Sequence, residues 1–323
     1  MSSQVFMQIN HIFIKFASCF LLLMFSMVQY SESYAEEQQE RIFVVAYAQD
    51  TMANDWRAAQ VKQLQEAFAK YPGVKFIYTD AGGSTAKQIR DIEDLVYHQV
   101  DLLMTSPRDA RLMTPIISKV YKSGIPVVLI TRNILTDDFT SFVAPDDRDI
   151  AKQAAAYIAR KLNGQGNILM LKGVPTATTA IARTEGFIKE IKKYPGLKLS
   201  AVKTANYLRG DAIRKTEEVI LQGIKFDAIY AQSDSMAIGA RLAMLKAGID
   251  PVSKIIVGID YISEAREAIE NGSQSASFLY PTSAKQAADI AMKILHNKKV
   301  PKRVEVGTQI ITRTNVKEII PIF

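Results

Sequence analysis

Cysteine, tryptophan and histidine are scarce in this sequence. Its 323 residues include one cysteine, one tryptophan and three histidines. Cys19 and His11 lie in the first 35 residues, so the remainder of the chain can form no disulfide and keeps only His98 and His296. Neither of these two histidines lies near a pattern of metal ligands. The scarcity argues against a disulfide scaffold, a histidine-based metal site and a catalytic triad.

A phosphate-binding glycine loop is also missing. The segment 81–85 has two adjacent glycines but lacks the other glycines and the lysine of phosphate-loop sequences, and it is typical of a helix start with Ser84 as the N-cap. No nucleophile-and-base pattern stands out elsewhere. We therefore predict a binding protein rather than an enzyme, with no catalytic residues, no metal and no cofactor.

The formal net charge is +7, but no basic run interleaves with aromatic residues. The lysines are scattered through helix-patterned stretches such as 189–193, which is typical of a solvated surface. We predict no nucleic-acid partner.

The first 35 residues differ in character from the remainder. Their apolar stretch, Phe16–Val28, is shorter than the roughly 20 residues that span a bilayer. Small residues at 33 and 35 provide the pattern that secretory cleavage requires. We predict that residues 1–35 are a cleaved signal peptide. A membrane anchor is less favoured, as is a lipoprotein attached at Cys19, because most of the apolar stretch follows that cysteine.

The rest of the chain alternates between strand-length apolar runs and helix-length stretches with apolar residues three and four apart. Runs rich in Val, Ile and Leu without polar alternation indicate buried parallel strands, and the stretches between them indicate crossover helices. The predicted strands are 42–48, 74–79, 101–105, 126–131, 167–171, 197–202, 227–231 and 254–259. This pattern predicts a doubly wound α/β protein.

Two sets of such units follow each other. The first ends near residue 142, the second extends from 146 to about 278, and a helix-patterned stretch follows at 284–296. Lys-Tyr-Pro-Gly occurs at 70–73 and again at 193–196, each time between a helix and a strand. No Gly/Pro/Ser-rich linker separates the sets, so we expect hinged lobes with a cleft between them.

Polar and aromatic residues follow several of the predicted strands. Trp56, flanked by Asp55 and Arg57, begins a helix soon after the first strand, while Arg132 and Asp260 each end a buried strand. Ligands of open α/β sheets bind at the carboxyl ends of the strands. The placement predicts a small-molecule site.

Other interpretations of these residues stay open. Trp56 suits a protein core as well as a ligand platform. Arg183 has Glu185 or Asp146 as candidate surface ion-pair partners. Asp260 suits the cap of the following helix.

At residues 233 and 234 we predict that Asp234 caps its helix, with Ser233 nearer the ligand. Met236 and Met244 are predicted core residues.

Five short motifs occur in a specific order. They are 55–59 (Asp-Trp-Arg-Ala-Ala), 130–133 (Ile-Thr-Arg-Asn), 182–187 (Ala-Arg-Thr-Glu-Gly-Phe), 230–234 (Tyr-Ala-Gln-Ser-Asp) and 257–260 (Val-Gly-Ile-Asp). This order resembles the periplasmic sugar-binding proteins of the ribose and galactofuranose branch, whose lobes also form the effector domain of lac-repressor-type regulators. The resemblance covers the whole chain after the leader.

The resemblance implies a type I periplasmic binding protein, or Venus flytrap. In this fold class two doubly wound parallel-sheet lobes are joined by a three-strand hinge and close on a ligand. The N-terminal lobe would be 41–144 plus 280–310, and the C-terminal lobe 145–279 plus 311–323. The protein would be periplasmic.

The family's ligand-binding positions carry polar and aromatic residues here, and the resemblance gives each of them a role. Trp56 would pack on a sugar ring, three arginines would reach hydroxyls and the ring oxygen, and two aspartates would accept from hydroxyls. Tyr207 takes the place of a second-lobe aromatic, and Ser233 stands where the ribose receptor has asparagine. The implied ligand-binding residues are Asp55, Trp56, Arg57, Arg132, Arg183, Tyr207, Ser233 and Asp260.

One position departs from the family. Thr131 replaces the aspartate that usually precedes the arginine at 132. Loss of this acceptor, with three arginines kept, shifts the charge of the site in the positive direction. This suggests a ligand with an anionic or strongly accepting group, or an uncommon furanose.

The implied function is capture of a small sugar-like ligand for delivery to a membrane ABC permease. The alternative is a periplasmic sensor that signals to a membrane histidine kinase or chemoreceptor. Both need the same cleft, so the named residues do not distinguish them. A DNA-binding regulator is disfavoured because the leader occupies the place of a helix-turn-helix. We expect a monomer.

Overall fold

Two six-stranded sheets organise residues 41–323, which are the residues that the computed structural model describes. The predicted signal peptide, residues 1–35, lies outside the described residues. Across residues 41–323, no helix has the length and apolar character needed to cross a membrane.

The first sheet has the strand order β11-β5-β4-β3-β1-β2, and its pairs are parallel. Its strands are β1 (Phe43–Gln49), β2 (Val74–Asp80), β3 (Leu102–Thr105), β4 (Val127–Ile130), β5 (Ser141–Ala144) and β11 (Arg303–Glu305). The helices packed with it are α1 (Asp55–Phe68), α2 (Thr85–Tyr97), α3 (Ala110–Lys122) and α9 (Ala284–Leu295).

The second sheet has the order β12-β10-β9-β8-β6-β7, in which only β12 pairs antiparallel. Its strands are β6 (Gln165–Lys172), β7 (Gly196–Thr204), β8 (Ala228–Ala231), β9 (Ile255–Val257), β10 (Ala276–Leu279) and β12 (Gln309–Thr312). The associated helices are α4 (Asp147–Lys161), α5 (Thr178–Ile191), α6 (Arg209–Leu221), α7 (Asp234–Lys246) and α8 (Ser263–Asn271).

Both faces of each sheet are buried, which explains the unbroken apolar runs of the strands. In β1, Val45 and Tyr47 pack on the face covered by α1 and α9, while Ala46 and Ala48 pack on the opposite face with α2 and α3. Met236 and Met244 are buried in the second lobe, as predicted. The doubly wound fold class is confirmed.

The chain passes between the sheets three times, which gives the three-strand hinge of the predicted fold class. The crossings follow β5, β10 and β11. The predicted lobe boundary after residue 310 falls inside β12, which pairs with β10 of the second sheet. The lobe boundaries otherwise stay a prediction.

Two predicted strands end earlier than the sequence indicates. β4 stops before Thr131 and β9 stops at Val257, short of Asp260. Thr131 has φ 60° and Asp260 has φ 127°, so neither residue continues an extended strand. β5 has no counterpart among the predicted strands.

Candidate ligand-binding cleft between the two sheets

A cavity with about 460 Å³ of empty space lies between the two lobes, at the carboxyl ends of their strands. The lining residues are Asp50, Thr51, Asn54, Trp56, Arg57, Arg108, Thr131, Arg132, Val174, Thr179, Arg183, Asn206, Tyr207, Ser233, Asp260 and Tyr280.

Seven of the eight predicted ligand-binding residues line this cavity, and Asp55 is the exception. Asp55 is the first residue of α1, and its carboxylate lies in a neighbouring surface cleft, 3.6 Å from the Arg209 guanidinium. Its side chain is 59% exposed. The structure therefore places Asp55 at an ion pair between the lobes rather than in the cavity.

Trp56 belongs to the cavity wall and to the protein core at once. The residue is 5% exposed, and its indole Nε1 donates a 3.0 Å hydrogen bond to the Tyr280 carbonyl. Its ring lies 5.6 Å from the Tyr280 ring and joins the apolar cluster of the second lobe. Trp56 thus connects α1 of the first lobe to the second lobe.

Three guanidiniums surround Asp50, which follows β1. Arg132 Nη1 donates to Asp50 Oδ2 at 2.8 Å, Arg108 Nη1 lies 3.5 Å from the same oxygen, and Arg57 Nε lies 3.5 Å from Oδ1. Burial alone would raise the pKa of Asp50, but Arg132 and Arg57 lower that pKa below its ordinary value. Asp50 is therefore an ionised carboxylate at the cavity wall.

Arg183 is held on the opposite side of the cavity. Its Nε donates to Asp147 Oδ1 at 2.7 Å, its Nη1 donates to the Gln232 carbonyl, and its guanidinium lies 4.5 Å from the centre of the Tyr280 ring. The suggested partners Glu185 and Asp146 are wrong: Glu185 pairs with Arg148, and Asp146 caps α4.

Tyr207 closes the cavity between two arginines. Its ring centre lies 5.9 Å from the guanidinium carbons of both Arg132 and Arg183, and its hydroxyl lies 3.0 Å from Thr179 Oγ1. The ring occupies this place because Gly173 has no side chain; a Cβ there would lie 1.9 Å from Tyr207 Cζ. Glycine at 173 therefore fixes one end of the cavity.

The predicted N-cap of α7, Asp234, is wrong. Ser233 lines the cavity and is itself the N-cap of α7, since its hydroxyl accepts from the Met236 amide. Asp234 is buried behind it. Its carboxylate accepts from the Tyr261 amide, the Ser277 hydroxyl and the Gln274 amide.

Asp260 faces the cavity and does not cap a helix; α8 begins after Ile262 without a side-chain cap. Burial raises the pKa of Asp260 well above its ordinary value, and the nearby Asp234 raises that pKa further. Its φ of 127° is unusual for a residue with a side chain. Thr131 and Tyr207, which also line the cavity, have positive φ as well.

Sequence reasoning missed Asp50, Arg108 and Tyr280 among the lining residues. Asp50 had the same signal as Asp260, a carboxylate just past the end of a buried strand. The predicted first strand ends at Ala48, two residues before Asp50, so the sequence does not mark Asp50 as the end of that strand. Asp50 supplies Arg132 with a carboxylate, although Thr131 replaces the family aspartate.

No group of three or more His, Cys, Asp or Glu side chains suited to a metal ion occurs in residues 41–323. The described cavity combines aromatic rings, guanidiniums and carboxylates. These groups suit a hydroxyl-rich ligand, because a guanidinium donates to oxygen and a carboxylate accepts from a hydroxyl.

The fold and the cavity define a two-lobed α/β protein with a binding site between its lobes. The chain belongs to the periplasmic binding protein domain family, whose model matches residues 45–299. The predicted family and fold are thereby confirmed.

Two relatives of this chain are named for the sugar or polyol that they bind. The xylitol-binding protein of Mycolicibacterium smegmatis is 28% identical, covering 81% of this chain and 73% of its own. The ribose import binding protein of Bacillus subtilis is 29% identical, covering 84% and 88%. The family and these relatives are binding proteins.

Solved structures also superpose over most of the chain. The fructose-binding periplasmic domain of a hybrid two-component system has a TM-score of 0.82 and 34% identity, covering 85% of this chain and 92% of its own. An ABC transporter solute-binding protein of Bacillus halodurans C-125 with bound myo-inositol has a TM-score of 0.82 and 25% identity, covering 87% and 98%.

Proposed function

We propose that this protein captures a small sugar or sugar-like ligand between its lobes and delivers it to an ABC importer. The cavity carries the proposal, because its walls come from both lobes and combine aromatic rings with donors and acceptors for hydroxyls. Relatives named for xylitol and ribose support the ligand class.

Each lobe would contribute one half of the site. Trp56, Arg57 and Arg132 belong to the first set of elements, while Arg183, Ser233 and Asp260 belong to the second. A ligand that contacts both halves stabilises the closed arrangement and shifts the population toward it.

The proposed location is the periplasm, reached through a signal peptide cleaved after residue 35. We further propose that the protein acts as a monomer. Size-exclusion chromatography with light scattering and N-terminal sequencing of the exported protein test these two points.

A sensory role is the second candidate. It is favoured by the 34% identity to the fructose-binding domain of a hybrid two-component system. In that role the closed protein would contact a membrane histidine kinase or chemoreceptor. Deletion of the gene distinguishes the two: sugar uptake falls if the protein serves an importer, whereas sugar-induced gene expression falls with uptake unchanged if it serves a sensor.

Ligand binding itself is tested on the protein purified without residues 1–35. Mass spectrometry identifies any co-purified small molecule, and calorimetric titration compares D-fructose, D-ribose, xylitol and myo-inositol. Saturable binding of at least one polyol is expected. A protein that carries no polyol and binds none of the four would refute the proposal.

A further inference from the structure

Asp50 has one carboxylate oxygen without a hydrogen bond. The residue is fully buried and lines the cavity. Its Oδ2 accepts from Arg132 at 2.8 Å, whereas Oδ1 has no hydrogen-bond partner within residues 41–323. Arg57 Nε lies 3.5 Å from Oδ1, which is an ion-pair contact and not a hydrogen bond.

Two other buried carboxylates near the cavity, those of Asp147 and Asp234, have hydrogen-bond partners within the protein. Asp147 accepts from Arg183 with Oδ1 and contacts the Tyr280 hydroxyl with Oδ2. Both oxygens of Asp234 accept hydrogen bonds. Neither residue lines the cavity. Because buried polar atoms are almost always paired, the vacant acceptor at Asp50 indicates a partner that enters the cavity.

The chemistry of this partner is restricted. An ionised carboxylate only accepts hydrogen bonds, so the partner has to be a donor. A ligand carboxylate or phosphate placed there would repel the Asp50 charge, although three guanidiniums lie close by. A sugar hydroxyl satisfies the requirement.

We propose that Asp50 Oδ1 accepts a hydrogen bond from a ligand hydroxyl and that Asp50 makes the cavity select neutral polyols over acidic sugars. The proposal rests on the proposed sugar-binding function. It replaces the hypothesis of an anionic ligand, which followed from Thr131 and the three retained arginines, and it is compatible with the uncommon furanose that was the other alternative. Without Asp50, the Arg57, Arg108 and Arg132 guanidiniums would lie unopposed on this wall and form an anion site.

The test uses Asp50→Asn and two matched sugar pairs, each a neutral sugar and its carboxylate: D-fructose with 2-keto-D-gluconate, and D-galactose with D-galacturonate. Calorimetric titration of the wild-type protein should favour the neutral member. In Asp50→Asn, affinity for the neutral sugar should fall about tenfold, as expected for one hydrogen bond to a charged group. The ratio of acid to neutral affinity should rise by at least about tenfold.

Asp91→Asn is the matched control. Asp91 is also a buried aspartate of the first lobe, paired with Lys87, but it lies outside the cavity. This variant should keep the wild-type affinities and their ratio.

A second measurement needs no variant and applies even if Asp50→Asn fails to fold. The wild-type protein is titrated with a deoxyfluoro series of D-fructose, in which fluorine replaces one hydroxyl at a time and cannot donate. One position should lose about tenfold in affinity.

The outcomes separate the two proposals. Unchanged affinities and ratio in Asp50→Asn, or an equal response to every fluorinated position, would show that Asp50 is only a counter-ion of the arginines. Tighter binding of the acids by the wild-type protein would also overturn the inference while leaving sugar binding intact. Absence of binding to every sugar would instead refute the proposed function.

Discussion

At the scale of single residues, the charged side chains at the cavity hold each other in place through ion pairs. Asp50 is shared by three arginines, and Asp147 holds Arg183. Because these side chains are already fixed, a ligand that enters the closed site need not order them, which lowers the entropic opposition to binding. The remaining freedom lies in the lobes and not in the side chains.

Trp56→Ala should weaken binding of D-fructose, or of the polyol that binds best, by more than about tenfold, because the ring provides apolar surface for the C–H face of a sugar. Since Trp56 also packs in the core, the unfolding free energy should fall by about 3–5 kcal/mol. Titration calorimetry and chemical denaturation measure the two effects.

Trp56→Phe is the control for this variant, because it keeps an aromatic ring at the wall. Its affinity should lie between those of the wild-type protein and Trp56→Ala. Equal affinity of all three proteins would exclude Trp56 from the ligand site.

Asp260 should give the unliganded protein a specific pH dependence. Because burial raises its pKa above the usual value of about 4, its protonated form favours folding, and this stability is lost as the pH rises through the raised pKa. Asp260→Asn, which resembles the protonated form, should therefore match the wild-type protein near pH 4 and become the more stable of the two as the pH rises.

Denaturant unfolding from pH 4 to pH 8 measures this difference. Titrating groups that do not interact with Asp260 are common to both proteins and cancel in the comparison, whereas the interacting Asp234 stays part of the difference. A stability difference that does not change with pH would contradict the assigned environment of Asp260.

At the scale of elements, the buried strands and crossover helices follow from the sequence because their apolar runs and their 3.6-residue periodicity have few alternatives. The strand ends do not follow in this way. Thr131 and Asp260 have positive φ. Their residue types do not predict this conformation, since only glycine adopts positive φ freely. The short strand β5 has no counterpart among the predicted strands, although its residues Ser141–Ala144 are all buried.

The site, like the fold, could be predicted only in part. Arg183, which lies in a short motif shared with a known family, was found by resemblance, whereas Trp56 was also indicated by its place after the first strand. Asp50 and Arg108 lie in no such motif, and their place beside Arg132 depends on long-range strand pairing between β1, β3 and β4. Asp55 and Trp56 are neighbours in sequence, yet they point to different surfaces because adjacent helical positions diverge by about 100°.

Asp234 connects three elements of the second lobe, and its removal should destabilise all of them. Asp234→Ala leaves the Ser277 hydroxyl without its acceptor and removes the shorter of the two hydrogen bonds that the Tyr261 amide donates, so we expect a loss of about 3 kcal/mol in unfolding free energy. Ligand affinity should also fall, because Asp234 anchors the turn that carries Asp260.

Denaturation and calorimetry test this variant beside Asp250→Ala, which removes an exposed aspartate that caps a short 3₁₀ segment of the same lobe. The control should lose about 1 kcal/mol and keep its affinity. An Asp234→Ala protein no less stable than this control would contradict the network.

At the scale of the whole molecule, the two lobes contact each other directly as well as through the hinge. The Asn54 side-chain amide donates to the Tyr207 carbonyl at 2.7 Å, and the Asn133 amide donates to Thr178 Oγ1 at 2.9 Å. The Ala110 amide donates to the Thr176 carbonyl at 3.2 Å. These bonds exist only while the lobes are together, so they contribute to closure.

Thr178→Val tests this contribution, because Thr178 does not line the cavity. Loss of its bond to Asn133 should favour the open form and weaken every ligand by the same factor, about threefold to tenfold, since apparent affinity scales with the closed fraction. Ratios between D-fructose, D-ribose and xylitol should therefore stay at their wild-type values. Small-angle scattering should show a larger radius of gyration at subsaturating sugar, whereas Thr314→Val, on an exposed turn, should change neither property. A change in the ratios would place Thr178 in the ligand site instead of in the closure of the lobes.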